Sequence, residues 1–175
     1  MITKQSTPAS GSGLYTDEAI KKGTILFSYD DWVEDEKEGW VTLTTTEMQS
    51  LTGEKRSLFL RYCYDLDFGK IIGTFDWTCA RHIANYMNHS CDPNMIYDSR
   101  DNIIARRDIA PGEELTVDYG TFIANFDQEF VCSCGAHNCR KKITKDDWKT
   151  LVPVYGIHFA AFMQEEIKKL RKERA

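Results

Sequence analysis

Three cysteines in the C-terminal part of the chain have the spacing of a metal-binding turn. Cys132, Cys134 and Cys139 follow the pattern C-x-C-x4-C, and Gly135 permits the tight turn that such a knuckle needs. Three thiolates are one ligand short of the closed tetrahedral site that is typical of structural zinc. The cluster therefore predicts a zinc site that needs a fourth ligand besides these three cysteines. Four thiolates would leave no open position for water, so the site is expected to be structural.

The fourth zinc ligand has two sources in the sequence. His137 lies inside the cysteine cluster, and three further cysteines lie outside it, at positions 63, 79 and 91. Cys91 belongs to a turn-forming Asn/Pro segment and is better placed than the other two, which lie in apolar runs. Cys63 and Cys79 are interpreted as ordinary small core residues.

Two polar motifs precede the cysteine cluster. Asn-His-Ser-Cys-Asp-Pro-Asn occupies positions 88–94, and Glu-Leu-Thr-Val-Asp-Tyr occupies positions 114–119. A Gly-Ser-Gly sequence stands near the start, at positions 11–13. In this order, and followed by C-x-C-x4-C, the motifs resemble the signatures of SET-domain protein lysine methyltransferases with a post-SET zinc knuckle, of the short stand-alone type. The resemblance spans roughly residues 10–143, and in this family the fourth zinc ligand matches Cys91.

The resemblance implies S-adenosylmethionine as methyl donor and a protein lysine as acceptor. The cofactor is expected to approach the main chain closely at the Gly-Ser-Gly segment, and glycine permits such an approach because it has no side chain. In the family, residues matching Asn88 and His89 hold the amino-acid and adenine ends of the cofactor. The residues expected to bind the cofactor are Ser10, Gly11, Ser12, Tyr62, Asn88, His89 and Tyr119.

Tyr119 is the predicted catalytic residue. Methyl transfer is a displacement at carbon, so the lysine nitrogen must be held in line with the sulfonium and both must be stripped of water. The lysine must also be neutral, although its ordinary pKa is about 10.4. A desolvated channel and the nearby sulfonium charge both lower that pKa. The hydroxyl of Tyr119 would orient the amine or the transferring methyl group.

Side chains near Tyr119 are expected to line a channel for the lysine. The predicted channel residues are Tyr62, Tyr64, Val117 and Phe122. Many family members carry Phe or Tyr at the position of Val117, and the smaller side chain predicts tolerance of higher methylation states. Arg140 follows the last cysteine without the aromatic residue usual nearby. Trp148 is the candidate to replace it, unless this wall is built differently.

The elements that position these residues are mostly short. β-Prone runs predict strands over 24–29, 71–75, 102–107 and 114–119. Short helices are predicted from Thr46 to Gly53 and over 80–88, and a longer helical tail from Thr144. The fold class is therefore mainly β with short helices. The resemblance implies the SET-domain β-clip fold, with knot-like threading of the 114–119 segment beneath a loop near Asn88.

The resemblance also divides the chain into three parts. These are a SET domain over 1–131, a post-SET zinc knuckle over 132–143, and a C-terminal helical extension over 144–175. The basic end of that extension is compatible with a homodimer contact, with substrate docking, or with a role in solubility alone.

The charge and apolar content of the sequence limit the kinds of partner that this protein can bind. The net charge of -5 disfavours direct nucleic-acid binding and suits a basic partner, such as a lysine-containing segment of a histone tail or another basic protein. An acidic run over 30–38 could select basic substrates, or could be only a solvated loop. No stretch of 18 apolar residues and no secretory signal is present, so neither a membrane segment nor disulfides are expected. The expected location is intracellular, with a nucleus, a bacterial cytoplasm and export as an effector all compatible.

Three functional interpretations remain. The first is an active protein lysine methyltransferase, and the second is a catalytically silent SET-like module that binds peptides or partners. The third, a plain zinc-binding interaction module, explains the cysteines and leaves the other motifs unused. Tyr119 and the Asn88–His89 pair are both present, which favours the enzyme.

Overall fold

The computed structural model describes residues 1–6, 11–31 and 38–173. Its strands are β1 (Ile2–Gln5), β2 (Gly13–Thr16), β3 (Ile25–Phe27), β4 (Trp40–Thr44), β5 (Cys63–Asp67), β6 (Lys70–Thr74), β7 (Asn88–His89), β8 (Met95–Tyr97), β9 (Ile103–Ala105) and β10 (Glu114–Val117). Its α-helices are α1 (Thr45–Ser50), α2 (Gly53–Arg61), α3 (Asp147–Tyr155) and α4 (Gln164–Glu173). The prediction of a mainly β fold with short helices is confirmed. Ser10 and most of the acidic run lie outside the described residues.

The strands form three small sheets, in the orders β1-β2-β10-β7, β3-β9-β8 and β4-β6-β5. Strand β10 pairs in parallel with β7, so that Thr116 lies beside Asn88 and Val117 beside His89. This pairing puts the two polar motifs of the sequence next to each other. The knot-like crossing of the chain and the three-part domain division stay predictions.

Asn94, the last residue of the motif over 88–94, forms hydrogen bonds to the backbone of β10. Its side chain is buried, its Nδ2 donates to the Glu114 carbonyl at 2.8 Å, and its Oδ1 accepts from the Thr116 amide at 2.9 Å. The amide thus satisfies backbone groups of β10 that the short sheet leaves open. Leu115 and Val117 alternate with these residues and point into the core.

The N-cap of the helix after β4 lies two residues earlier than predicted. Thr44 caps α1 in a reciprocal capping box with Glu47, whereas the sequence prediction put the helix start at Thr46, with Gln49 at the capping-box position. The carboxylate of Glu47 accepts from the Thr44 amide at 2.7 Å. A charged acceptor makes the stronger of the two caps. Gly53 does not end a helix as expected; it is the first residue of α2.

The predicted helix over 80–88 is wrong. The chain there forms 3-10 turns at Trp77–Cys79 and Ile83–Tyr86, followed by β7. His82 competes with helical hydrogen bonding, because its Nδ1 accepts from the Ala84 amide at 3.2 Å.

The predicted strand over 114–119 ends early. Its last paired residue is Val117, because the Asp118 side chain accepts from the Gly120 amide and starts a 3-10 turn over Tyr119–Thr121. The predicted catalytic tyrosine therefore lies in a turn at the end of a strand.

The C-terminal extension packs onto the rest of the chain as two helices. Gly156, at a φ of 67°, ends α3, and α4 follows after a 3-10 turn. Apolar residues of the two helices and of the segment between them form one cluster with Ile96: Trp148, Leu151, Val152, Tyr155, Phe159, Met163 and Ile167. Within the described ranges, no helix is long and apolar enough to cross a bilayer.

Candidate active site and zinc centre

Four cysteines converge from two distant parts of the chain. The Sγ atoms of Cys91, Cys132, Cys134 and Cys139 all lie within 4.8 Å of one another. A tetrahedral zinc ion with Zn–S bonds of about 2.3 Å needs sulfurs about 3.8 Å apart, so this donor set fits zinc. The ligand set predicted from the sequence is thus brought together, with Cys91 as the fourth member. His137 is exposed and stands outside the cluster.

Backbone amides support the thiolates. The Arg140 amide donates to Cys91 Sγ at 3.3 Å, and the Cys91 amide donates to Cys134 Sγ at 3.4 Å. Such bonds stabilise negative charge on sulfur and orient the ligands around a metal. Cys63 and Cys79 take no part in this cluster, as the sequence predicted.

A narrow cavity of about 60 Å³ opens beside Tyr119. All four predicted channel residues line it, together with Tyr97 and Tyr119: Tyr62, Tyr64, Val117 and Phe122. The ring of Phe122 meets that of Tyr119 edge-on, with centroids 5.4 Å apart. Aromatic walls of this kind fit a long aliphatic chain that ends in an amine.

The hydroxyl of Tyr119 is fixed in position. It donates to the Met87 carbonyl at 2.9 Å, which leaves the lone pairs of the oxygen to accept from a ligand. Burial raises the pKa of the Tyr119 phenol well above its ordinary value, so the group stays neutral. Tyr119 is therefore a hydrogen-bonding group and not a base.

The first glycine motif and β7 lie side by side. Asn88 Nδ2 donates to the Ser12 carbonyl at 2.9 Å and to Glu114 Oε1 at 2.6 Å. Gly11 has a φ of 79°, which favours glycine, and among the described residues no atom lies within 4 Å of where its Cβ would be. The cofactor contact of this segment stays a prediction.

The ring of His89 is buried between Tyr119 and Cys91. Its side chain is 2% exposed; Nδ1 accepts from the Tyr119 amide at 3.1 Å, and Nε2 lies 3.2 Å from Cys91 Sγ. Because Nδ1 is an acceptor, Nε2 carries the proton and donates to the sulfur. Burial lowers the pKa of His89 to about 4, so the ring is neutral. The ring links the Tyr119 amide to the cysteine cluster, and the cofactor contact of His89 stays a prediction.

The family model of the SET domain matches residues 11–120, which is more than half of the chain. This chain belongs to the SET-domain family.

Named relatives share the match. The human "Histone-lysine N-methyltransferase 2D" is 45% identical over 143 residues, covering 75% of this chain and 2% of that protein. The Drosophila melanogaster "Histone-lysine N-methyltransferase trr" is 33% identical over 138 residues, covering 75% and 5%. The Arabidopsis thaliana "Putative histone-lysine N-methyltransferase ASHH4" is 32% identical over 151 residues, covering 82% and 40%. The chain thus spans less than half the length of these relatives. The crystal structure of KRYPTONITE in complex with mCHG DNA and SAH has a TM-score of 0.49 and 22% identity, covering 81% of this chain and 28% of that one.

One wall of this SET-domain site differs from the sequence expectation. Trp148 is buried in the C-terminal cluster, where it meets Phe68 at a centroid distance of 6.0 Å, and it does not line the cavity. Phe130 lies near the site instead, with its centroid 6.2 Å from that of Tyr119 and 6.4 Å from that of His89. Phe130 lies two residues before Cys132, on the N-terminal side of the cysteine cluster, whereas the expected aromatic residue lay on its C-terminal side.

Proposed function

We propose that this SET domain transfers a methyl group from S-adenosylmethionine to the side-chain nitrogen of a lysine in a protein. The observation that carries the proposal is the position of Tyr119, whose hydroxyl is fixed on the Met87 carbonyl, one residue before Asn88, and stands in an aromatic cavity. When bound, S-adenosylmethionine supplies an electrophilic methyl group on a sulfonium. The backbone around Gly11, Ser12 and His89 and the side chain of Asn88 would hold it.

The cavity walls select and orient the lysine. Tyr62, Tyr64 and Phe122 enclose the aliphatic chain and exclude water, which favours the neutral amine over the ammonium ion. No carboxylate or imidazole lines the cavity in the part of the chain that the structure describes. The lysine proton therefore leaves to solvent before transfer. The Tyr119 oxygen then accepts an N–H of the amine and turns the nitrogen lone pair toward the methyl group.

The proposed substrate is a basic, lysine-containing segment. The net charge of -5 favours such a partner, and the named relatives are histone-lysine methyltransferases. We therefore propose a histone tail or another basic protein, without direct nucleic-acid contact, in a reducing intracellular compartment that keeps the zinc thiols reduced. A homodimer is compatible with the exposed basic surface of α4.

The test is transfer of labelled methyl to histones and to a whole-cell protein extract. Tyr119→Phe is expected to lower kcat by roughly 100-fold, because it removes the group that aligns the amine, while cofactor affinity stays within about twofold. Tyr29→Phe serves as the matched control, since Tyr29 is exposed and outside the cavity lining. Label on lysine that depends on Tyr119 supports the proposal. Cofactor binding without transfer to either substrate pool would favour the catalytically silent module.

A further inference from the structure

A buried carboxylate lies next to the catalytic tyrosine. The Asp118 side chain has no exposed surface, and Arg140 grips it with two hydrogen bonds, Nη1 to Oδ2 at 2.8 Å and Nη2 to Oδ1 at 2.6 Å. The same guanidinium donates through Nε to Asp147 Oδ2 at 2.7 Å. Arg140 directly follows the last zinc ligand, and Asp147 is the first residue of α3. One arginine thus joins the zinc knuckle, the C-terminal extension and the residue before Tyr119.

Asp118 has two further donors. The Tyr155 hydroxyl, at the end of α3, donates to Oδ2 at 3.1 Å, and the Gly120 amide donates to Oδ1 at 3.0 Å. A buried carboxylate is stable only when its charge is balanced and its oxygens accept hydrogen bonds. Here both oxygens are satisfied, and most of their donors lie beyond residue 120, where the family match ends.

The turn that holds Tyr119 also packs tightly against α3. A Cβ on Gly120 would lie 2.7 Å from Leu151 Cδ1 and 3.1 Å from Asp147 Cβ. The Thr121 carbonyl accepts from the Ala160 amide at 2.9 Å. The turn and the helix therefore fit closely only because residue 120 is glycine.

We propose that Arg140 and α3 position Tyr119 for methyl transfer. The inference rests on the proposed function and assigns a role to the extension that the sequence left open. The Tyr119 ring is held near the cavity by its hydroxyl and its amide, and Asp118 is the third point that fixes the turn. Arg140, Asp147 and Tyr155 do not line the cavity. They are positioning residues, acting through the Asp118 carboxylate.

The first test removes the paired hydrogen bonds from Arg140 to Asp118 and keeps the positive charge at residue 140. Arg140→Lys is expected to lower kcat by at least about tenfold, because small displacements of an aligning group are costly, while cofactor affinity and zinc content stay within about twofold. Arg107→Lys is the matched control, since Arg107 also binds one carboxylate through two nitrogens, that of Glu113, and does so at an exposed site. An unchanged kcat in folded Arg140→Lys would overturn the proposal. So would a loss of activity that merely follows loss of zinc.

Two smaller substitutions test the same proposal if Arg140→Lys fails to fold. Tyr155→Phe removes only the hydroxyl that bonds Asp118, and a roughly threefold to tenfold loss of kcat with unchanged KM is expected. Gly120→Ala is expected to lower kcat similarly, and Gly120→Ala/Leu151→Ala to recover part of the loss, because the second change removes the clashing Cδ1. Absence of recovery, together with full activity in Tyr155→Phe, would refute a positioning role for α3.

Hydrogen exchange separates this inference from the proposed function. In Arg140→Lys and Tyr155→Phe, amide exchange is expected to speed up by about tenfold over residues 119–123 and to stay unchanged in β3 and β9. That pattern in a protein that transfers no methyl to histones or to the extract would support the positioning role and count against the proposed function alone. Unchanged exchange over 119–123 would overturn the positioning role whatever the activity.

Discussion

The buried carboxyl of Asp65 should make folding stability depend on pH in an unusual direction. Asp65 is 4% exposed; its Oδ2 accepts from the amides of Ala124 at 2.6 Å and Asn125 at 3.0 Å, and its Oδ1 has no hydrogen-bond partner. Burial raises its pKa from 3.8 to about 7 despite the two amide donors. Because the folded-state pKa lies above the unfolded value, the folded protein holds this proton more tightly. Asp65 therefore lowers the free energy of unfolding as pH rises from about 4 to about 7.

The size of the effect follows from the two pKa values. A gap between 3.8 and about 7 corresponds to at most about 4 kcal/mol of unfolding free energy, of which about 3 kcal/mol appears between pH 5 and pH 8. Asp65→Asn removes the titration and keeps an oxygen for the amides of Ala124 and Asn125. We expect the variant to gain up to about 3 kcal/mol over the unmodified protein between these two pH values.

Urea unfolding at pH 5, 6, 7 and 8 measures this difference. Comparing two proteins at each pH cancels the effect of every other titrating group, including the zinc thiols. Asp67→Asn is the matched control, because Asp67 is an exposed carboxylate two residues further along β5. A stability difference between Asp65→Asn and the unmodified protein that stays constant within about 1 kcal/mol would refute the reasoning.

Three further changes test other parts of the structure. Gly73→Ala should lower the free energy of unfolding in urea by about 2 kcal/mol, because the alanine Cβ would lie 2.8 Å from both Cys63 Cβ and the Phe59 ring. Equal stability of the two proteins would show that the strand can shift to make room. Cys134→Ser should lose bound zinc in metal analysis and lower Tm by about 10 °C in calorimetry, since metal binding is coupled to folding; a full zinc complement would contradict the ligand set. Val117→Phe should shift the products seen by mass spectrometry toward lower methylation states, because the ring would fill part of a cavity that Val117 lines. Purely monomethylated product from the unmodified protein would contradict the idea that Val117 leaves room for further methyl groups.

The cysteine cluster and the lining of the cavity could be predicted because their signals are local or belong to recognisable motifs. Ligand counting left His137 or a distant cysteine as the fourth member, with Cys91 the best placed of the cysteines, and Cys91 does join the cluster. Tyr62, Tyr64, Val117 and Phe122 line one cavity. The start of α1 was misplaced because Thr44 and Thr46 offer overlapping capping boxes, and only the charged acceptor Glu47 decides between them.

Other features of the site depend on tertiary contacts that the sequence does not reveal. Phe130 replaced Trp148 beside Tyr119 because α3 buries the tryptophan in its own apolar face. Nothing in the spacing of Asp118, Arg140 and Tyr155 indicates that they meet, since the contacts span 22 and 37 residues. A polar cluster assembled from three elements leaves no periodic pattern in the sequence.

The grip of Arg140 on Asp118 also sets an order of events during synthesis. A chain emerging N-terminus first exposes β2, β7 and β10 before the guanidinium that neutralises Asp118 is available. Until then, closing the core over Asp118 would bury an unpaired carboxylate, which is strongly unfavourable. The turn that holds Tyr119 is therefore expected to reach its final geometry only after the segment around Arg140 and α3 have left the ribosome. A nascent chain stalled near residue 120 would hold every residue of the matched domain and still lack the partner that fixes this turn.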